Sequence, residues 1–178
     1  MTTLHHPEVV RTLTLGEPPV LSLLMTDSSG QSLVQHFLAT TIRPAVQELV
    51  QGHMEKGVRI FVGGMMGDST AFARLPASAR KIMMDNAREL KTEFTNKSQF
   101  PGFSCDDAKK ITVPTLLVVG DRSPQFLREA TNRLEQCLPN KERRMLPNSS
   151  HGLEFDNPQA FNEAVLSFIS TRRSDVKH

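Results

Sequence analysis

The 178 residues contain no tryptophan and no tyrosine, so ten phenylalanines must supply all the aromatic packing. Long apolar runs are missing too. The longest, around 115–119, falls far short of the ~20 residues a membrane-spanning helix needs, and no membrane role is expected. Residues 1–8 are polar and lack the apolar stretch of a secretory signal. Cysteine is scarce: Cys105 and Cys137 are the only two. Two cysteines cannot form a disulfide framework, and no Cys-x-x-Cys or Cys/His ligand spacing exists. A reducing, cytoplasmic setting is therefore expected, with no metal and no cofactor. Neither charge sign dominates. Lys and Arg number 21 against 19 Asp and Glu, and they alternate along the chain, which argues against a nucleic-acid partner. Only the tail (Arg172, Arg173, Lys177) leans basic, as a solvated terminus can.

What is present suits one globular domain: 38% hydrophobic and 22% charged residues on a chain long enough to bury a core. Residues 1–8 read as a helix end. Val9, Val10, Leu13 and Leu15 alternate with polar residues as in a short strand, stopped by Gly16-Glu17-Pro18-Pro19. Prolines cannot donate to a sheet ladder, which places Glu17 just beyond the strand's C-terminal end. Val34, Leu38, Ile42, Val46 and Leu49 recur at helical spacing, with Pro44 as a kink. A second helix runs from about 53 to 61 and ends at Gly63-Gly64. A third follows Pro76, with Met83, Ala87, Leu90 and Phe94 on one face. A polar linker over 96–105 closes this helical insert.

The rhythm then changes. Residues 113–120 (Val-Pro-Thr-Leu-Leu-Val-Val-Gly) form an apolar run typical of a parallel strand buried on both faces. A helix with Leu127, Ala130, Leu134 and Cys137 on its inner side follows, and residues 142–146 suggest a further strand. The last helix presents Phe161, Ala164, Val165, Phe168 and Ile169 behind Asn157-Pro158 as cap and first residue. Strand–helix–strand–helix predicts an α/β fold, with about three parallel strands and flanking helices. The organisation expected is core at 1–27, cap at 28–105 and core at 106–178.

His151 lies in Pro-Asn-Ser-Ser-His-Gly (147–152), between a strand end and a final helix. Open α/β sheets bind ligands at that end, and an imidazole with a reference pKa of about 6.5 accepts protons near neutrality. The plainer reading is a loop histidine bonded to backbone. His5, His6, His36 and His53 have no partners at ligand or dyad spacing and read as surface residues.

Four pieces in order resemble the α/β-hydrolase fold family over essentially the whole length. The run at 113–120 is similar to its penultimate strand, and 147–152 to its catalytic-histidine loop. Residues 157–165 are similar to its closing helix, and 6–15 to the helix end and strand after its nucleophile elbow. The helical middle fits the family's cap. The resemblance implies a Gly-x-Ser-x-Gly elbow and an oxyanion hole. No such motif occurs in these residues, and the elbow half is expected to lie ahead of Met1.

Gly67-Asp68-Ser69-Thr70-Ala71 offers a decoy, because Ser69, Asp121 and His151 follow the family's serine–acid–histidine order. An elbow serine needs a buried strand before it, and Phe61-Val-Gly-Gly-Met-Met does not read as one, so Ser69 reads as a cap-loop residue. For the acid two positions stay open. Many members place it in Gly-x-x-Asp after the penultimate strand. Here Ser123 occupies that position, with Asp121 displaced by two residues. Other members place it after the strand that follows the elbow, which here gives Glu17, the position favoured by spacing. Their plainer readings are a solvated turn residue for Glu17 and a helix N-terminal charge for Asp121. Five of the eight methionines cluster in the insert, as core filling or as a flexible wall over a substrate.

Three functions compete. The first is a hydrolase acting on a small apolar, ester-like substrate in its complete form, with this truncated chain inactive. The second is a non-catalytic binding or self-association module, with homo-oligomers formed through an exposed sheet edge. The third is an intact enzyme using Ser69.

Overall fold

Thr115, Leu116, Leu117, Val118 and Val119 give a strand nothing polar to turn toward water except one hydroxyl, so its place is the interior. In the computed structural model, which describes residues 2–95 and 102–173, this strand (β2, Thr115–Gly120) is buried at every position. It is the middle strand of a three-stranded sheet. β1 (Leu13–Gly16) pairs on one side with Leu15 opposite Leu117, and β3 (Lys141–Leu146) on the other with Gly120 opposite Leu146. Both pairings are parallel. Successive β2 side chains face opposite sides. Leu117 meets Leu134 and Leu138, while Leu116 and Val118 meet Leu153 and Phe168.

The chain enters through a helical turn, α1 (Thr2–His5), and a 3₁₀ turn at Pro7–Val9. Here the expected strand is shortened. The Val10 N–H bonds Pro7 O at 3.2 Å, Val9 is 69% exposed, and pairing begins only at Leu13. A second 3₁₀ stretch, Leu21–Thr26, leads to α2 (Ser28–Phe37), whose N-terminus is capped by Asp27 accepting the Gly30 N–H. A π-helical stretch, Leu38–Ile42, joins α2 to α3 (Arg43–Val50). The Arg43 N–H reaches back five residues to Leu38 O. Pro44 has no N–H to continue the regular ladder, so the irregularity falls where the proline demands it.

Helix α4 (Met54–Met66) runs through Gly63-Gly64 instead of ending there, and stops at Gly67 with φ +69°. Its internal glycines are contact points. A Cβ at Gly57 would come within 2.5 Å of Leu49, and one at Gly64 within 2.2 Å of Thr41, so their absence lets α3 and the π stretch approach. A short turn, α5 (Ala71–Arg74), precedes Pro76, and the expected third helix after it is two, α6 (Ala77–Asp85) and α7 (Ala87–Thr95), divided at Asn86. These helices enclose Leu49, Val58, Val62, Phe72, Leu75 and Ala87. Of the linker expected over 96–105, residues 96–101 lie outside the described residues. Ser104 and Asp107 then form a capping box on α8 (Cys105–Lys109).

The return to the sheet adds α9 (Gln125–Cys137) between β2 and β3, then α10 (Leu153–Asp156) and α11 (Pro158–Arg173) after β3. Asn157 accepts the Ala160 N–H, the cap its sequence position implied. The helices after β1 and those around β2 share one apolar seam. Phe37 stacks on Phe126 at 4.1 Å, among Leu24, Ile42 and Leu127, while Arg133 of α9 reaches Asp27 at 2.5 Å.

Two features go beyond the sequence pattern. Cys105 and Cys137 are joined in a disulfide with Cα atoms 5.2 Å apart, tying α8 to the end of α9. The sequence separation of 32 hid a proximity that only the packing of α8 on α9 creates. Within the basic tail, Arg172 is not simply solvated: it pairs with Glu142 and lies over the Phe168 ring. Among the described residues, no helix is long and apolar enough to cross a membrane.

Candidate active site

Glu17 follows β1 with φ +45°, a left-handed conformation uncommon for any residue but glycine. Its N–H still bonds Val118 O at 3.1 Å, so the turn begins while the residue is held to the sheet. Pro18 and Pro19 end the strand, and the Glu17 side chain folds inward to 0% exposure. A buried carboxylate needs donors, and this one has two. Oε1 accepts the Gly120 N–H at 2.8 Å, and Oε2 lies 3.0 Å from His151 Nδ1.

A carboxylate only accepts, so the ring proton of this pair sits on Nδ1. The neutral imidazole then keeps its acceptor lone pair on Nε2. The His151 side chain is 25% exposed, and its Nδ1 is held by Glu17. This is the orientation a general base needs, with the carboxylate fixing the tautomer and stabilising the imidazolium.

The loop carrying His151 is held on several sides. The Ser149 N–H donates to Asp121 Oδ1 at 3.1 Å, and Ser149 O accepts the Arg122 N–H at 2.9 Å. The Arg122 guanidinium donates to the Asn148 side chain, and Asn148 takes a left-handed φ of +58°. Ser150 donates its N–H and hydroxyl to Asp156 at 2.7 and 2.6 Å. From the end of α4, Met66 reaches the loop: Ser150 Oγ lies 3.7 Å from its sulfur. The insert's methionine run thus puts at least one thioether against the histidine loop.

The sequence candidates separate cleanly. His151 and Glu17 are brought together. Asp121 turns to the loop backbone, and the Asn148 N–H foremost, with that of Ser149, holds its carboxyl below the usual aspartate range. Ser123, in the family's Gly-x-x-Asp position, is buried, and its hydroxyl has no hydrogen-bond partner among the described residues. Ser69 is exposed on the loop between α4 and α5, preceded by a helix rather than a strand. Its neighbour Asp68 is occupied with Thr70 and Arg74. His53, read as partnerless, pairs with Glu48 at 2.8 Å on the surface. Sequence reasoning missed the Gly120 N–H, the second donor to Glu17. Its signal was the glycine ending β2, beside which the histidine loop passes. Among the described residues no group of three or more His, Cys, Asp or Glu is placed to hold a metal ion.

No family model matches this sequence. Over 121 residues it is 27% identical to carboxylesterase YbfK of Bacillus subtilis, an alignment spanning 64% of this chain and 39% of that protein. Over 72 residues it is 31% identical to protein ECM18 of Saccharomyces cerevisiae, covering 36% of this chain and 16% of that protein. The crystal structure of carboxylesterase CesB (YbfK) from Bacillus subtilis matches with a TM-score of 0.63 and 20% identity, over 95% of this chain and 54% of that one. MenH from S. aureus matches with a TM-score of 0.62 and 16% identity, over 92% and 60%. A bromoperoxidase from Bacillus anthracis matches with a TM-score of 0.56 and 23% identity, over 72% and 48%. The chain thus spans less than half the length of these curated relatives and roughly half that of the solved ones. With three parallel strands, flanking helices and a helical insert, this chain carries a partial α/β-hydrolase fold.

Proposed function

We propose that the chain is the histidine-bearing part of a hydrolase that cleaves a small apolar, ester-like substrate when complete, and that these 178 residues alone are inactive. The observation that carries the reading is the His151–Glu17 pair, with Nδ1 committed to a buried carboxylate and Nε2 left to accept a proton. Hydrolysis by this route needs a nucleophile whose proton Nε2 takes, plus donors for the oxyanion. The sequence holds no Gly-x-Ser-x-Gly to supply that nucleophile, and Ser69 lies on an exposed loop without elbow geometry. Carboxylesterase YbfK favours an ester over other substrates of this fold. We take residues 1–27 and 106–178 as core and 28–105 as cap, and we expect no cofactor. The test is turnover of short p-nitrophenyl esters by the purified chain. The expected rate does not exceed that of free imidazole and does not change with Ser69→Ala. Turnover above that control and abolished by Ser69→Ala overturns the reading.

A second reading rests on a different observation. β1 is one of the two outer strands, its far edge pairs with nothing among the described residues, and an apolar groove of about 290 Å³ lies beside it. Leu4, Leu13, Leu15, Phe103, Ile111 and Leu134 line that groove. An open edge next to apolar surface favours self-association. We therefore expect homo-oligomers by sedimentation, and a monodisperse monomer removes this reading. The cytoplasmic setting read from the cysteine count now meets the Cys105–Cys137 bond, which favours an oxidising compartment. Thiol trapping of the protein in its native cells decides between them: trapped free thiols keep the cytoplasmic assignment.

A further inference from the structure

His151 is aimed by more than Glu17. Its ring sits on residues 147–152, a loop with no ladder of its own, so the loop's course sets whether Nδ1 meets Oε2. That course runs over Gly120. A Cβ there would meet Ser149 O at 2.2 Å and Ser150 O at 2.7 Å, so the loop carbonyls lie directly on the glycine. The same residue's N–H holds the other oxygen of Glu17 at 2.8 Å. Acid and base are therefore seated on one residue, and whatever presses the loop against Gly120 controls the distance between them.

The next residue makes that contact. The Asp121 N–H bonds Leu146 O at 3.1 Å, continuing the β2–β3 pairing, so its carboxylate projects from a fixed point. Oδ1 accepts the Ser149 N–H at 3.1 Å, and the Asn148 N–H also favours the charged form of the same carboxyl. These are the two N–H groups just before Ser150 and His151. They lie on either side of the left-handed turn at Asn148.

We propose that Asp121 is a positioning residue, whose carboxylate gathers the Asn148 and Ser149 N–H groups and so fixes the histidine loop on Gly120 at the distance where His151 Nδ1 meets Glu17. It is neither the acid of the pair nor a helix charge. The proposal rests on the reading of His151 as the base, and it assigns the side chain after Gly120 a role through the loop backbone.

The test uses the 178-residue chain itself and needs no turnover. In ¹⁵N-labelled protein, the His151 Nδ1 proton bonded to Glu17 gives a low-field resonance, assigned by its loss in His151→Ala. In Asp121→Ala that resonance is expected to vanish through exchange with water, while circular dichroism and the melting transition report an intact fold. In Asp121→Asn it is expected to persist, because the amide oxygen still accepts the loop N–H groups. If Asp121→Ala does not fold, Asp121→Ser replaces it, since a hydroxyl is too short to reach both donors. An unchanged resonance in the folded Ala or Ser variant overturns the proposal, as does equal loss in Asp121→Asn. Absence of the resonance from the parent removes the His151–Glu17 pair and the functional reading beneath it. The two failures are thereby told apart.

Discussion

Glu17→Gln probes the chemistry with the smallest change of shape. The side chain is 0% exposed, and both its oxygens accept, from Gly120 N–H and from His151 Nδ1. An amide has one oxygen and one NH₂, so one of these two donors must now face another donor. If the oxygen stays with Gly120, the NH₂ faces Nδ1 and the imidazole responds by moving its proton to Nε2. The ring is then a donor where a base is required. If the amide turns the other way, NH₂ faces the buried Gly120 N–H, and an unsatisfied pair of this kind costs about 1–3 kcal/mol of stability. The first arrangement spares the fold and ruins the tautomer. In the Ser-His-Asp template the equivalent change lowers turnover about ten-thousandfold, roughly 5.5 kcal/mol at 1.36 kcal/mol per decade. The assay is ester turnover by a protein completed with a nucleophile-bearing first half, comparing Glu17→Gln with parent at matched melting temperature. Loss of about four decades is expected, with Asp121→Asn costing far less. If Glu17→Gln is tolerated and Asp121→Asn is crippling, the acid has been misassigned.

Three further outcomes follow from the packing. Leu49 is 0% exposed between α3 and α4, so Leu49→Ala is expected to cost about 2–5 kcal/mol in chemical denaturation; a loss below about 1 kcal/mol refutes the helical core described. The Cys105–Cys137 bond spans 32 residues, and its reduction is expected to remove about 3–4 kcal/mol through loop entropy, read as a lower melting temperature in dithiothreitol. An unchanged transition shows the thiols already free. Asp27 has its carboxyl held well below the usual range, by the Arg133 side chain first and then by the Gly30 N–H and Ser29 hydroxyl. A depressed folded-state pKa contributes stability above the unfolded value of about 3.9, lost as pH falls through the folded one. Asp27→Asn is therefore expected to melt below parent at pH 7, with the gap closing as pH drops under about 4. A gap that widens on acidification contradicts the pairing.

The sequence made parts of this site readable for definite reasons. Pro18-Pro19 must end β1, and that alone places Glu17 at the sheet's C-terminal edge. The unbroken apolar run of β2 could only be an interior strand. The asparagine–proline start of α11 bounded the histidine loop from behind. Other features arise only in three dimensions. Gly63-Gly64 reads as a helix end because glycine weakens helices; the close approach of Thr41 overrides that, and no local pattern reports it. The Cys105–Cys137 bond depends on α8 lying against α9. The Gly120 N–H and the turning of Asp121 away from His151 depend on how a loop settles over a strand end. Backbone donors leave no mark in composition or spacing, which is why the clamp around His151 was invisible while its charged members were not.

The proposed function requires His151 to be a base whose nucleophile is not among these residues, and active-site phosphonylation tests that directly. A fluorophosphonate probe followed by intact mass and peptide mapping locates any activated serine. The chain alone is expected to remain unlabelled. The protein completed by a nucleophile-bearing first half is expected to take one label, outside residues 1–178, at a rate that collapses with His151→Ala. A stoichiometric label on Ser69 of the chain alone contradicts the account.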